Sequence, residues 1–250
     1  MKERGRHSVY IATKGWHYDF SEPSKSRVAE KEVRKDIESS LCALGKESID
    51  FYWLHRDNLS LPVEEILYFC EKLKKEGKIV NYGASNFGTE RMIEAQKISE
   101  EKGYSGFFGL SDSFSCAVEN FDPSADKTLV KTDTDQLRWL NESGTFLFAY
   151  SAGARGFFAK KFRDGENFDK SGYAMYDNKE NERRFEMLKE ASLLTGCNIS
   201  ACGLAALLAL PINIIPVFSA SCEEHLYDNI KGEEITLDEN IVKKLNLMGK

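Results

Sequence analysis

Six stretches of the sequence end in residues able to do chemistry. Ile49-Asp50-Phe51-Tyr52-Trp53-Leu54 is apolar and aromatic without clean alternation, as expected of a strand buried on both faces, and it runs into His55, Arg56 and Asp57. Ser8–Thr13 reads the same way and leads to Lys14. Asn81-Tyr82-Gly83-Ala84 ends in Ser85 and Asn86, and Phe107–Phe114 contains Ser111 and Asp112. Phe146-Leu147-Phe148-Ala149 leads to Tyr150 and Ser151, and Ile212–Phe218 to Ser219 and Ser221. A lysine placed after a buried strand loses solvation, which lowers its pKa and suits it to proton relay. A histidine donates a hydrogen bond to a carbonyl oxygen. A tyrosine ring stacks on a planar heterocycle, and Ser with Asn matches the donors and acceptors of an amide. Together these residues point to polarised carbonyl chemistry beside a planar cofactor.

Such residues converge only if their strands are parallel neighbours, and the pattern between them supports this. Helices are predicted over Val28–Leu44, Val63–Glu76, Thr89–Glu101, Asp133–Asn141, Asn181–Thr195, Ser200–Leu210, Ser221–Ile230 and Leu237–Met248, with Gly45 and Gly77 as stops and Ser200 as an N-cap. Ala152–Asn178 is glycine-rich, aromatic and too long for a plain connection, so it reads as a functional loop. Strand followed by helix, about six times over, is the signature of a parallel α/β sheet. No G-x-G-x-x-G follows any strand, which disfavours a Rossmann site. A (β/α)8 TIM-barrel type of fold, incomplete at about six of eight strands, is the better architecture. A single domain over residues 1–250 is expected.

Composition narrows the partners. The 250 residues carry a net charge of -6, and no basic cluster suits nucleic acid or an anionic membrane. No apolar run is long enough to span a bilayer, and the N-terminus lacks the apolar core of a secretory signal. The six cysteines form no C-x-x-C pair, so reduced thiols and a cytoplasmic location are expected.

Several of these motifs, in this order and spacing, resemble the signatures of the aldo-keto reductases: Ile11-Ala12-Thr13-Lys14, Asp50–Asp57, Tyr82-Gly83-Ala84-Ser85-Asn86 and Ala149-Tyr150-Ser151. Ala154-Arg155-Gly156-Phe157-Phe158 resembles a bacterial-type subgroup. The resemblance implies a (β/α)8 barrel that binds NADPH without a Rossmann fold and reduces aldehydes or ketones. Lys14 then matches the family's catalytic lysine and His55 the histidine that orients the carbonyl. Ser85 and Asn86 match the pair that holds the carboxamide, and Tyr150 the ring that stacks on nicotinamide. Ser151 begins the pyrophosphate loop, and Asn229 matches the asparagine near the adenine.

The departures from the pattern carry their own expectations. The family's catalytic aspartate and tyrosine precede the Lys14 strand, and Met1–Arg6 resembles only the tail of a helix leading into it. The first two strands and two of four catalytic groups are therefore expected to be missing, with weak turnover. Tyr18 and Asp19 substitute only if their loop folds back with sub-ångström placement. Ser111 or Asp112 stands where the family has a carboxamide-binding glutamine. The Ser219–Glu224 stretch lacks the arginine or lysine that grips the 2′-phosphate, leaving His225 as the nearest candidate. Trp16 and Phe114 are candidates for the substrate pocket. The Lys14 and Ile214 strands would border a gap, inviting self-association. Two other readings are a non-catalytic nucleotide-binding regulatory barrel and a metal-dependent hydrolase using His17, His55 and Asp57; no metal site is otherwise expected.

Overall fold

A computed structural model describes residues 10–18, 30–121 and 126–249. Its contacts gather into two compact units, one through Ser111 with Thr128–Val130, the other Asp112–Lys127 and Lys131–Lys250.

The first unit is built from strands β1 (Ala12–Gly15), β2 (Ile49–Leu54), β3 (Ile79–Ser85) and β4 (Gly109–Ser111), and helices α1 (Glu30–Leu44), α2 (Val63–Lys75) and α3 (Thr89–Lys102). The strands are parallel neighbours in chain order. Each β-to-β connection contains one helix, the unit anticipated from the alternating pattern. Helix α1 buries Val33, Ile37 and Leu41, one residue every four, and α2 buries Val63, Ile66, Leu67, Cys70 and Leu73. Register aligns Lys14 with Trp53 and Trp53 with Gly83. Gly83 has a packing reason: a Cβ there would come within 2.5 Å of the Trp53 ring and 2.9 Å of Phe108. Those two rings lie 4.8 Å apart.

The second unit contains α4 (Thr134–Ser143), β5 (Phe146–Ala149), α5 (Phe157–Asp164), α6 (Lys179–Thr195), α7 (Ile199–Leu208), β6 (Ile214–Pro216), α8 (Glu223–Ile230) and α9 (Glu239–Leu245). Strands β5 and β6 pair in parallel. The apolar core runs from Leu137 and Leu147 through Phe157, Leu188 and Ala206 to Leu245. Asp133 caps α4, its carboxylate accepting from the Gln136 N–H at 2.8 Å.

Several boundaries differ from the sequence reading. The Lys14 strand extends through Gly15, so Lys14 lies within it, and the strand is largely exposed rather than buried on both faces. Strand β4 is three residues rather than eight, although the Phe108 N–H still donates to the Tyr82 carbonyl of β3 at 3.0 Å and the Phe108 ring lies against Phe51 and Trp53. Asn198, not Ser200, caps α7, accepting from Ala201 N–H at 2.7 Å. The segment expected as a loop over 152–178 contains helix α5 and three 3₁₀ turns. Phe157 and Phe158 are buried in it, and the Lys161 ammonium lies 5.0 Å from the centroid of the Phe185 ring. A lysine standing where a helical stripe would show an apolar residue hid the periodicity. Met1–Arg6 and Asp19 lie outside the described residues.

Candidate functional site

In the first unit the chemistry-bearing residues gather at the carboxyl ends of the parallel strands. Lys14 Nζ donates to Ser111 Oγ at 3.0 Å and Ser85 Oγ at 3.3 Å. It stands 5.7 Å from the centroid of the Trp53 ring. Ser85 is fully buried and donates to the Ser111 carbonyl at 2.6 Å. His55 directly follows β2, and its N–H donates to the Gly15 carbonyl at 2.9 Å. Lys14 and His55 therefore sit at the same end of adjacent strands. The burial invoked for Lys14 is absent, because its side chain is exposed and reaches the serine hydroxyls over the strand ends.

Asn86 is 2% exposed and holds a left-handed backbone with φ of 60°. Its Nδ2 donates to the His55 carbonyl at 3.1 Å and to Ser85 Oγ at 3.2 Å, and its Oδ1 accepts from the Val130 N–H at 3.1 Å. The buried Arg56 guanidinium also donates to the His55 carbonyl, at 2.7 Å. This network fixes the backbone that carries the imidazole. The Ser85 hydroxyl and the Asn86 amide are thus engaged inside the protein, and a carboxamide would have to exchange with those bonds.

Beside His55 stand two aromatic side chains that carry titratable groups. The rings of His17 and His55 lie 4.7 Å apart, and those of His17 and Tyr18 4.2 Å apart. The start of the loop after β1 thus packs on the histidine, an encounter that no local pattern encodes. Trp16, a candidate for the substrate pocket, is 1% exposed. Its φ of 72° is an outlier for a bulky residue, and Asp36 holds it by accepting from its N–H at 2.9 Å. Asp57 forms a two-point ion pair with Arg91, both contacts 2.9 Å. Among the described residues no group of three His, Cys, Asp or Glu is placed to hold a metal ion.

The second unit supplies a cavity of about 930 Å³. Tyr150, Ser151, Ser219, Ser221, His225 and Asn229, six residues singled out from the sequence, all line it. Tyr150 is fixed through its backbone: its N–H donates to Asp112 at 3.0 Å, and its carbonyl accepts from Phe114 at 3.2 Å. Phe114 is half-buried against the unit's core and is not among the residues lining this cavity. After Tyr150 the chain turns tightly, with positive φ at Ser151, Ala154, Arg155 and Gly156. Three of these are not glycine, and strain of this kind concentrates where a ligand is clamped. Ser221 Oγ lies 3.0 Å from His225 Nδ1. The sequence reading overlooked Arg155, Lys160 and Arg163, which also line the cavity. Their signal was present in the basic run Lys160-Lys161-Phe162-Arg163, but its helical setting was not.

Comparison with known proteins now adds to this geometry. A model of the aldo/keto reductase family matches residues 1–248. The chain belongs to the aldo/keto reductase family. This family member is 23% identical over 217 residues to norsolorinic acid reductase of Aspergillus flavus, covering 86% of this chain and 52% of that protein. It is 24% identical over 246 residues to the uncharacterized oxidoreductase YrpG of Bacillus subtilis, covering 96% and 72%. The chain thus spans about half the length of the first relative. Among solved structures it is similar to a thermostable aldo-keto reductase crystallised with the inhibitor epalrestat. That match has a TM-score of 0.69 and 23% identity, and covers 99% of this chain and 74% of the other. The fold is therefore of the aldo-keto reductase barrel type, with six parallel strands among the described residues of this family member.

Proposed function

We propose that this oxidoreductase-family chain takes part in NADPH-dependent reduction of small aldehydes or ketones. The observation that carries the reading is Lys14 reaching Ser85 and Ser111 at the strand ends that also present His55. The cavity of the second unit suits a dinucleotide. It offers an aromatic ring at Tyr150, hydroxyls at Ser151, Ser219 and Ser221, and amide groups at Asn198 and Asn229. Its volume of about 930 Å³ lies within the usual range of cofactor sites. When bound, the reduced nicotinamide supplies a hydride to the carbonyl carbon.

The remaining work falls to side chains of this chain. In this reading His55 donates a hydrogen bond to the carbonyl oxygen and stabilises the charge that develops there. Lys14, held over the two serine hydroxyls, sets the protonation of that oxygen's neighbourhood. Tyr18 places a phenol beside His17, whose ring lies 4.7 Å from that of His55.

The test is a titration with NADPH followed by nicotinamide fluorescence, then addition of an aldehyde. Binding followed by aldehyde-dependent oxidation supports the proposal. Binding without oxidation favours a non-catalytic nucleotide-binding role, and absence of binding removes both.

A further inference from the structure

The loop after β1 puts a second imidazole beside the first. The rings of His17 and His55 lie 4.7 Å apart at an interplanar angle of 63°. Both residues are half-buried, open in part to water while the fold holds them. His17 Nδ1 lies 2.8 Å from the Tyr18 carbonyl oxygen. A carbonyl only accepts, so Nδ1 is the donor and keeps its hydrogen in the neutral ring as well as in the charged one. Nε2 is therefore the atom at which His17 gains and loses a proton. Backbone contacts fix the loop start: the Trp16 N–H donates to Asp36 of α1 at 2.9 Å, and the His55 N–H to the Gly15 carbonyl at 2.9 Å. Charged groups of the neighbouring elements are engaged with other partners: Asp36 with Trp16, Asp57 with Arg91, and Lys14 with Ser85 and Ser111.

We propose that His17 is a catalytic residue, the proton donor to the substrate oxygen that His55 orients. The inference rests on the carbonyl-reduction reading above and adds where the proton comes from. A ring nitrogen lies about 1 Å from its centroid and an N–H···O bond spans about 3 Å, so each centroid stands about 4 Å from an oxygen it binds. Two centroids 4.7 Å apart can share one such oxygen. As the carbonyl carbon accepts hydride from reduced nicotinamide, the π pair of the C=O bond moves onto oxygen. The N–H bond at Nε2 of the His17 imidazolium breaks and the O–H bond of the alcohol forms. Neutral imidazole and oxidised nicotinamide remain, and a proton from water restores the imidazolium. His55 keeps its own N–H throughout.

The experiment measures aldehyde-dependent oxidation of NADPH by the intact chain from about pH 5 to 8, the range in which imidazole side chains change charge. Turnover of the parent is expected to fall as pH rises, because the donor is the charged form. His17→Gln should lower turnover by on the order of 10²–10⁴ and abolish that fall. Added imidazole should restore part of the turnover lost in His17→Ala. A second readout needs neither cofactor nor turnover. Benzoate, whose carboxylate resembles the developing oxyanion, should shift the NMR ring-proton resonances of both His17 and His55 in the parent. A thermal melt checks that the variants fold, and the benzoate response is read without any substitution. A His17→Gln variant with the rate and pH profile of the parent overturns the assignment. So does benzoate that leaves the His17 resonance unmoved, or a larger loss from Tyr18→Phe than from His17→Gln. A parent chain that binds NADPH but does not oxidise it with any aldehyde overturns the reduction reading itself, and the donor with it.

Discussion

The strand-end cluster of the first unit and the cavity of the second differ in how their polar groups are held. At the strand ends, Ser85, Asn86 and Arg56 are buried, and their hydrogen bonds converge on Ser111 and on the His55 carbonyl. Around the cavity, Lys160, Ser219, Ser221 and His225 are exposed, and several turn residues are strained. A buried network has little freedom to move, so it suits groups that must be aimed at a reacting atom. An exposed, cationic rim suits a charged ligand that must enter and leave. The difference separates aiming from holding.

That separation can be broken most sharply at Lys14 and His55. Lys14→Met or His55→Ala is expected to lower any aldehyde-dependent oxidation of NADPH by on the order of 10²–10⁴ while leaving NADPH affinity within about threefold. Parallel loss of affinity would mean that the two regions do not divide the work. The measurement is steady-state turnover beside calorimetry on the same preparation.

Packing offers a second, smaller effect. Gly83→Ala presses a methyl group into the Trp53 and Phe108 rings and should cost about 1–3 kcal/mol. Asn181→Ala in the other unit removes the buried amide that accepts from the Val118 N–H at 2.8 Å and donates to the Val118 and Tyr176 carbonyls. It strands those backbone groups, at a cost of roughly 1–3 kcal/mol each where no water reaches them. Denaturant melts followed by hydrogen exchange would show protection lost mainly in the unit that bears the change. Uniform loss across both would show that the units unfold together.

The smallest expected effect is on acid stability. Hydrogen bonds from Arg183, joined by Arg184, hold the Glu180 carboxyl down to about 2 against the upward pull of burial. A carboxyl whose folded pKa is depressed stabilises the fold fully above its ordinary value near 4.5. That contribution fades as pH falls towards 2. Glu180→Gln should therefore flatten the pH dependence of stability between those values, and a curve unchanged by the substitution would count against this ion pair. The unit holding the strand-end cluster should keep its own acid response.

Much of the helix placement was legible in advance because it rests on local periodicity. The buried stripes of α1 and α2 follow three- and four-residue spacing. The short β4 was not legible, because its length depends on where β3 and the bridges of Ser113 to Lys131 and Tyr150 meet it, not on local pattern. Helix α5 was hidden by Lys161, a largely buried cation over the Phe185 ring where a helical stripe would show an apolar residue.

Sequence alone determined that His55, Ser85 and Asn86 would fall at or beside strand ends, because runs of apolar residues stop there whatever surrounds them. It also carried the resemblance by which Tyr150, Ser151 and Asn229 are compared with family motifs. Tertiary structure decided what each residue meets: the reach of Lys14 to two serines far along the chain, the return of Tyr18 and His17 to His55, and the arrival of Lys160 at a cavity whose β6–α8 wall has no lysine or arginine. The physical reason is range. Helix and strand patterns are set by neighbours a few residues apart, whereas these encounters depend on how packed elements bring distant side chains to one place.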